Sequence, residues 1–171
     1  MSKAVIDALA QRFPEAVYDP YVGVGGDDCA FVRREGIVAV CRALKQEHGF
    51  DLAPYVTAVD YLGQTPRFEV VYNLYATATN ARIRLRMKLA EGEALPSVTS
   101  VWRGADWFER YCWDMYGIRF PGHPDLRRLF MYDEFEGHPL RKDYPLRARQ
   151  PLVPERDVRD IYRGPGPAGR D

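Results

Sequence analysis

Alternation and helical spacing divide the chain before any motif is sought. In "ARIRLRMKLA", Ile83, Leu85, Met87 and Leu89 alternate with Arg82, Arg84, Arg86 and Lys88. That is the period of a strand with one buried face and one cationic face. "RFEVVYNLYAT" carries Phe68, Val70, Tyr72 and Leu74 on one side, and "YVTAVDYL" and "SVTSVW" predict two further strands. Upstream, "YVGVGGDDCAFV" reads as two short strands around a Gly-Gly-Asp-Asp turn. Gly23, Gly25 and Gly26 lack the spacing of a dinucleotide loop. Three segments switch to the helical period. Val5, Leu9 and Phe13 recur before Pro14; Ile37, Val40, Cys41, Leu44 and His48 lie between Gly36 and Gly49; Trp107, Phe108, Tyr111, Cys112 and Met115 form a broad apolar stripe. In the third, Asp106 and Glu109 have capping-box spacing, and Gly117 stands where a left-handed C-cap belongs. The pattern predicts an α+β domain over residues 1–120, its helices packed on one face of a largely antiparallel sheet.

Beyond Phe120 the periodicity stops. Residues 121–146 hold two Gly-His-Pro steps, an Arg-Arg pair and an Arg-Lys-Asp-Tyr run, with few consecutive apolar residues. Such a segment cannot build a core, so an extended arm is expected there, its backbone and charges satisfied by a neighbour. Residues 147–171 are rich in Pro, Gly and Arg, and a disordered or partner-bound tail is expected.

Charge and composition narrow the functions. Lys plus Arg and Asp plus Glu are both 24, so no bulk charge draws the chain to nucleic acid or anionic lipid. No apolar run has the length of a membrane span, and any membrane association is expected to come through partners. Cys29, Cys41 and Cys112 are odd in number and far apart, which suits a reducing compartment and no disulfide framework. No C-x-x-C step offers a zinc or iron–sulfur site.

The candidate chemistry is sparse. His123 and His138 with Asp125 and Asp143 lack a third strong ligand at regular spacing, and read as turn histidines rather than a metal site. The basic face of Arg82–Lys88 carries no interleaved aromatics of its own, so a solvated face, or one paired with a partner's acids, is expected. As an edge strand its charges would also discourage aggregation. A nucleic-acid-binding domain using that face remains the alternative outside any assembly. Glu109 and Asp114 stand five positions apart on the third helix and do not form an acid–base pair. No catalytic constellation is recognisable.

"ERYCWDMYGIRFPGHPDLRRL", Glu109 to Leu129, resembles the signature of the C subunit of proton-pumping NADH:quinone oxidoreductase, respiratory complex I. Glu109, Arg110, Trp113, Asp114, Met115, Tyr116, Gly117, Ile118, Phe120, Gly122, His123, Pro124, Asp125, Leu126, Arg127 and Arg128 fit that pattern, and "EGHPLRKDYPL" matches its second block. Tyr111 stands where the family usually has an acidic residue, and "LFMY" departs from the usual step. The resemblance implies a non-catalytic subunit peripheral to the cytoplasmic side of a bacterial inner membrane. It would pack against the quinone-site D subunit and neighbouring iron–sulfur subunits, binding no cofactor itself, while FMN, iron–sulfur clusters and quinone belong to the complex. On this resemblance the partner-docking residues are His123, Asp125, Arg127, Arg128, His138, Arg141, Lys142, Asp143 and Tyr144, and the signature helix contributes Glu109, Arg110, Asp114 and Gly117. Membrane-bound hydrogenases and a ferredoxin-dependent relative use the same domain and are the alternatives within the superfamily.

Overall fold

The alternation of Phe68–Ala76 (β4) and Ala81–Leu89 (β5) becomes an antiparallel register. Phe68 faces Leu89, Val70 faces Met87, Tyr72 faces Leu85 and Leu74 faces Ile83. All eight side chains are buried, as the period of two requires for a strand pair with one face in the core. This computed structural model describes residues 2–147 and 149–150, so the expected tail lies almost wholly outside the described residues. The remaining elements are α1 (Ser2–Arg12), β1 (Val17–Val22), β2 (Asp28–Val32), a 3-10 turn (Arg34–Gly36), α2 (Ile37–His48), β3 (Leu52–Asp60) and α3 (Ala105–Tyr116).

The five strands run in the order β1-β2-β5-β4-β3. Neighbours are antiparallel except β2 and β5, which are parallel. The α+β expectation therefore holds, with one parallel pair in an otherwise antiparallel sheet. Ile6 and Leu9 of α1 and Ile37, Val40, Cys41 and Leu44 of α2 join the inward side chains of β4 and β5 in one core. Phe120 is buried in the same cluster.

Three local expectations fail. The basic strand is not an edge: β5 lies between β2 and β4, because the chain returns from β2 through α2 to the far side of the sheet. "SVTSVW" forms turns instead of a strand, with Val101 and Trp102 N–H both donating to Val98 O. The capping box is absent. The N-cap of helix α3 is Gly104, which has no side chain to cap with, so Asp106 falls inside the first turn and Glu109 points inward. Its carboxylate accepts from Tyr72 Oη (3.0 Å), Val98 N–H (2.9 Å) and Ser97 Oγ (2.6 Å), tying the helix to β4 and the loop before it. Burial pushes this carboxyl's pKa up, while the three donors pull it back.

The cationic face also differs from expectation. Arg84 bonds Asn73 and Asp27, and Arg86 bonds Glu69 and Tyr21, all within the chain. The aromatics that β5 lacks come from its neighbours, since Phe31 on β2 pairs with Arg86.

Candidate partner-docking site

Helix α3 positions the arm. Its C-terminus is set by Gly117 at φ +80°, whose N–H donates to Trp113 O (2.8 Å). That left-handed conformation suits glycine, and a Cβ there would come within 2.7 Å of the His138 ring. His138 thus packs on the helix end, its Nδ1 2.9 Å from Asp114 O and its ring edge-on to Trp113. Leu140 N–H donates to Met115 O (3.1 Å) beside it.

Asp114 is the anchor of the first half of the arm. Its side chain is fully buried. Oδ2 accepts three successive backbone N–H groups, Leu129 (3.1 Å), Phe130 (2.8 Å) and Met131 (3.0 Å). Oδ1 accepts from Arg128 (2.8 Å). Burial alone would raise this carboxyl, but the three amides and the guanidinium outweigh it and hold the pKa below the usual carboxylate range. Arg128 also donates to the carbonyls of Phe135 (2.6 Å) and Gly137 (3.2 Å) and lies over the rings of Trp113 and Phe135. Arg110, one turn before Asp114, donates to the carbonyls of Arg127 (3.2 Å) and Arg128 (2.9 Å). The helix therefore reads the arm's backbone from both sides, donors through Arg110 and acceptor through Asp114.

A second carboxylate fixes the other half. Asp60, at the end of β3, accepts from Arg67 through both oxygens (2.8 and 2.9 Å) and from Lys142 N–H (2.8 Å). Arg67 also reaches Glu91 and Asp143, both at 3.0 Å, and Arg141 bonds Asp143 and Glu91. The Arg67 hydrogen bond is the main reason the Asp60 carboxyl is held low; Arg67 and then Arg141 do the same for Asp143. Tyr144 stacks on Phe135 and closes over Gly137.

At the arm's start, the buried His123 side chain holds the entry turn. Its Nδ1 accepts from Asp125 N–H (3.1 Å), which leaves Nε2 to donate to Asp106 O (3.1 Å). Among the described residues, no group of three or more His, Cys, Asp or Glu side chains stands where it could hold a metal ion.

The residues expected to meet a partner thus divide. Arg128, His123, His138, Arg141 and Asp143 have partners inside the chain, because the arm folds back within reach of Asp114, Arg67 and Glu91. Asp125 and Arg127 are exposed and pair with each other, and Lys142 is exposed. The arm also leaves apolar side chains outward: Phe130 is 65% exposed, with Tyr132 and Leu140 also open. Phe130 packs edge-on against Tyr111, and one turn earlier Trp107, 60% exposed, lies under Arg110. Sequence reading missed this aromatic surface, and it missed Asp60, Arg67 and Glu91. The signal for the aromatics was present: Phe130 and Tyr132 fall in a segment with no core for them to join. For Asp60 and Arg67, the only hint was an acid and a base flanking one turn.

The family model of the respiratory-chain NADH dehydrogenase 30 Kd subunit matches residues 30–150. The NADH-quinone oxidoreductase C subunit 2 of Rhizobium etli is 42% identical over 170 residues, covering 91% of this chain and 90% of that protein. The NADH-quinone oxidoreductase C subunit of Geotalea uraniireducens is 50% identical over 146 residues, covering 85% and 88%. In solved structures the fold recurs at TM-score 0.74 and 21% identity in an archaeal respiratory membrane complex, the membrane-bound sulfane sulfur reductase, covering 94% of this chain and 98% of that one. With signature helix, arm and most of the sheet inside the matched span, this chain belongs to the 30 Kd subunit family of respiratory-chain NADH dehydrogenases, the C subunits of NADH-quinone oxidoreductase.

Proposed function

We propose that the chain is a non-catalytic subunit of the peripheral arm of a proton-translocating NADH:quinone oxidoreductase, supporting electron transfer by packing against the quinone-site D subunit. FMN, iron–sulfur clusters and quinone are then held by other subunits, and the chain meets the membrane only through them, on the cytoplasmic side of a bacterial inner membrane. Among the described residues, no helix is long and apolar enough to cross a membrane.

One observation carries the docking reading. Arg128, Arg141 and Asp143 of the arm have partners within the chain, while Phe130 and Tyr132 of the arm and Trp107 of α3 are exposed. Exposed aromatics beside a rigid backbone are what interface centres are made of, and arginines already committed to buried carboxylates are not free to become hot spots. The docking face is therefore Trp107, Tyr111 and Phe130, with Tyr132 and Leu140 along the arm. Exposed Asp125, Arg127 and Lys142 form its polar rim.

The test is recovery of the chain from its native membranes in mild detergent, with mass spectrometry and an NADH-to-quinone assay. Co-purification with flavin, iron–sulfur and quinone-site subunits is the expected result. Recovery alone, or with a nickel–iron hydrogenase, would overturn it.

A further inference from the structure

The opposite side of the sheet carries a second surface of different chemistry. The β1–β2–β5 half of that face alternates rings and cations: Tyr18 and Tyr21 from β1, Phe31 from β2, and the basic residues of β5. Tyr18 and Phe31 stack at 5.6 Å between centroids. Of the five cations here, Arg84 and Arg86 are neutralised by Asp27 and Glu69. Arg33, Arg82 and Lys88 have no carboxylate within 4.0 Å among the described residues. Each sits over an aromatic ring instead: Arg33 5.6 Å from Tyr18, Arg82 5.8 Å from Tyr75, and Lys88 4.9 Å from Phe31. All three are exposed. A cation over a ring keeps its positive charge and loses little solvent, so it stays available to an anion.

We propose that this face docks a carboxylate-rich segment of a neighbouring subunit, separately from the aromatic surface of α3 and the arm. The spacing favours an extended chain over a small anion, since Arg82 and Lys88, six residues apart on one strand, stand about 20 Å from each other. Strand addition is not the mode of contact. The outer strand β1 is broken by an irregularity between Tyr18 and Tyr21 and contains Pro20, which has no N–H to donate. The partner therefore lies across the face, its carboxylates on the three unneutralised cations and its apolar groups on Tyr18, Tyr21 and Phe31. A chain of zero net charge has no long-range field to gather a polyphosphate, which favours a protein segment with a few carboxylates over a nucleic acid strand.

Lys88 makes the proposal measurable, because a carbodiimide joins an amine only to a carboxylate it already touches. Treating the purified, assembled complex and digesting it should recover Lys88 linked to an Asp or Glu of another subunit. The variant Arg33→Glu/Arg82→Glu, which leaves Lys88 in place, should lower that yield several-fold. Lys142 on the arm is read in the same digest, so loss of the arm contact is distinguished from loss of the sheet contact. Links from Lys88 only to its own chain would overturn the proposal. So would equal acetylation of Lys88 in the complex and in the free full-length chain. Salt-dependent binding of a fluorescent oligothymidine to the free chain, abolished by the double substitution, would overturn it by assigning the face to nucleic acid.

Discussion

The sheet and the arm reach order by opposite means. In β4 and β5 a period of two puts Val70, Tyr72, Leu85 and Met87 together, and burial of apolar area holds them. Between 121 and 146 there is no period, and two carboxylates hold the chain. Asp114 gathers Leu129–Met131 and Arg128, while Asp60 gathers Arg67 and Lys142 N–H. A segment without a core is thus fixed by buried acceptors on a neighbouring helix and strand end. Phe130, Tyr132 and Leu140 stay exposed on it. The difference matters because hydrogen-bonded anchors are concentrated: one side chain supports many residues, whereas a core spreads its load.

The sharpest way to break the comparison is Asp114→Ala. Removing the acceptor leaves three amides unpaired at a buried site and takes from Arg128 its carboxylate partner, leaving it the carbonyls of Phe135 and Gly137, and should cost about 3–5 kcal/mol of arm stability. Hydrogen exchange at Leu129, Phe130 and Met131 should rise to near the rate of an open segment, while the amides of β4 and β5 keep their protection. Equal loss in the sheet would show that arm and domain form one cooperative unit.

Arg67→Ala should come next, at about 2–3 kcal/mol, because Asp60 stays buried but keeps Lys142 N–H. Exchange at Lys142 and Tyr144 reports it. Gly117→Ala should cost about 1–2 kcal/mol for the left-handed backbone, and more if the His138 ring cannot move aside from a Cβ at 2.7 Å. Chemical denaturation of the free chain measures it.

Acid sharpens the same contrast. Asp60, Asp114 and Asp143 have folded pKa values held below the usual carboxylate range. Their stabilisation is complete above the unfolded value of about 4 and is lost as pH falls through the folded values. Glu109, raised by burial, has the opposite sign, and its protonation favours the folded state as pH falls through its folded pKa. Lowering pH below about 4 should therefore loosen the arm before the contact between α3 and β4. Exchange at Leu129–Met131 relative to intrinsic rates checks this, and simultaneous loosening of both would contradict it.

How much of this was legible in the sequence follows from the same division. Strands β4 and β5, helices α2 and α3, and the Gly117 cap were readable because periodicity and φ > 0 glycine are local signals. The central place of β5 was not, since strand order depends on a crossover that no local pattern encodes. Glu109 was misassigned because capping-box spacing says nothing about which way a side chain turns. The arm's residues were found through motif resemblance, but their partners were placed outside the chain. Asp114 lies only 14 residues before Arg128, yet pairing across an irregular turn leaves no period to detect.

The most direct test of the proposed docking face separates the exposed rings from the exposed charges. Phe130→Ala and Trp107→Ala remove exposed rings that contribute little to the free chain, so its unfolding free energy should change by no more than about 0.5 kcal/mol. Arg127→Ala removes an exposed charge with a local partner. Measured by native gel on membranes carrying each variant, the aromatic substitutions should lower the yield of intact complex, and Arg127→Ala should lower it less. Normal assembly with both rings removed, together with failure on Arg127→Ala, would place the docking energy in the arm's charges and contradict the aromatic surface.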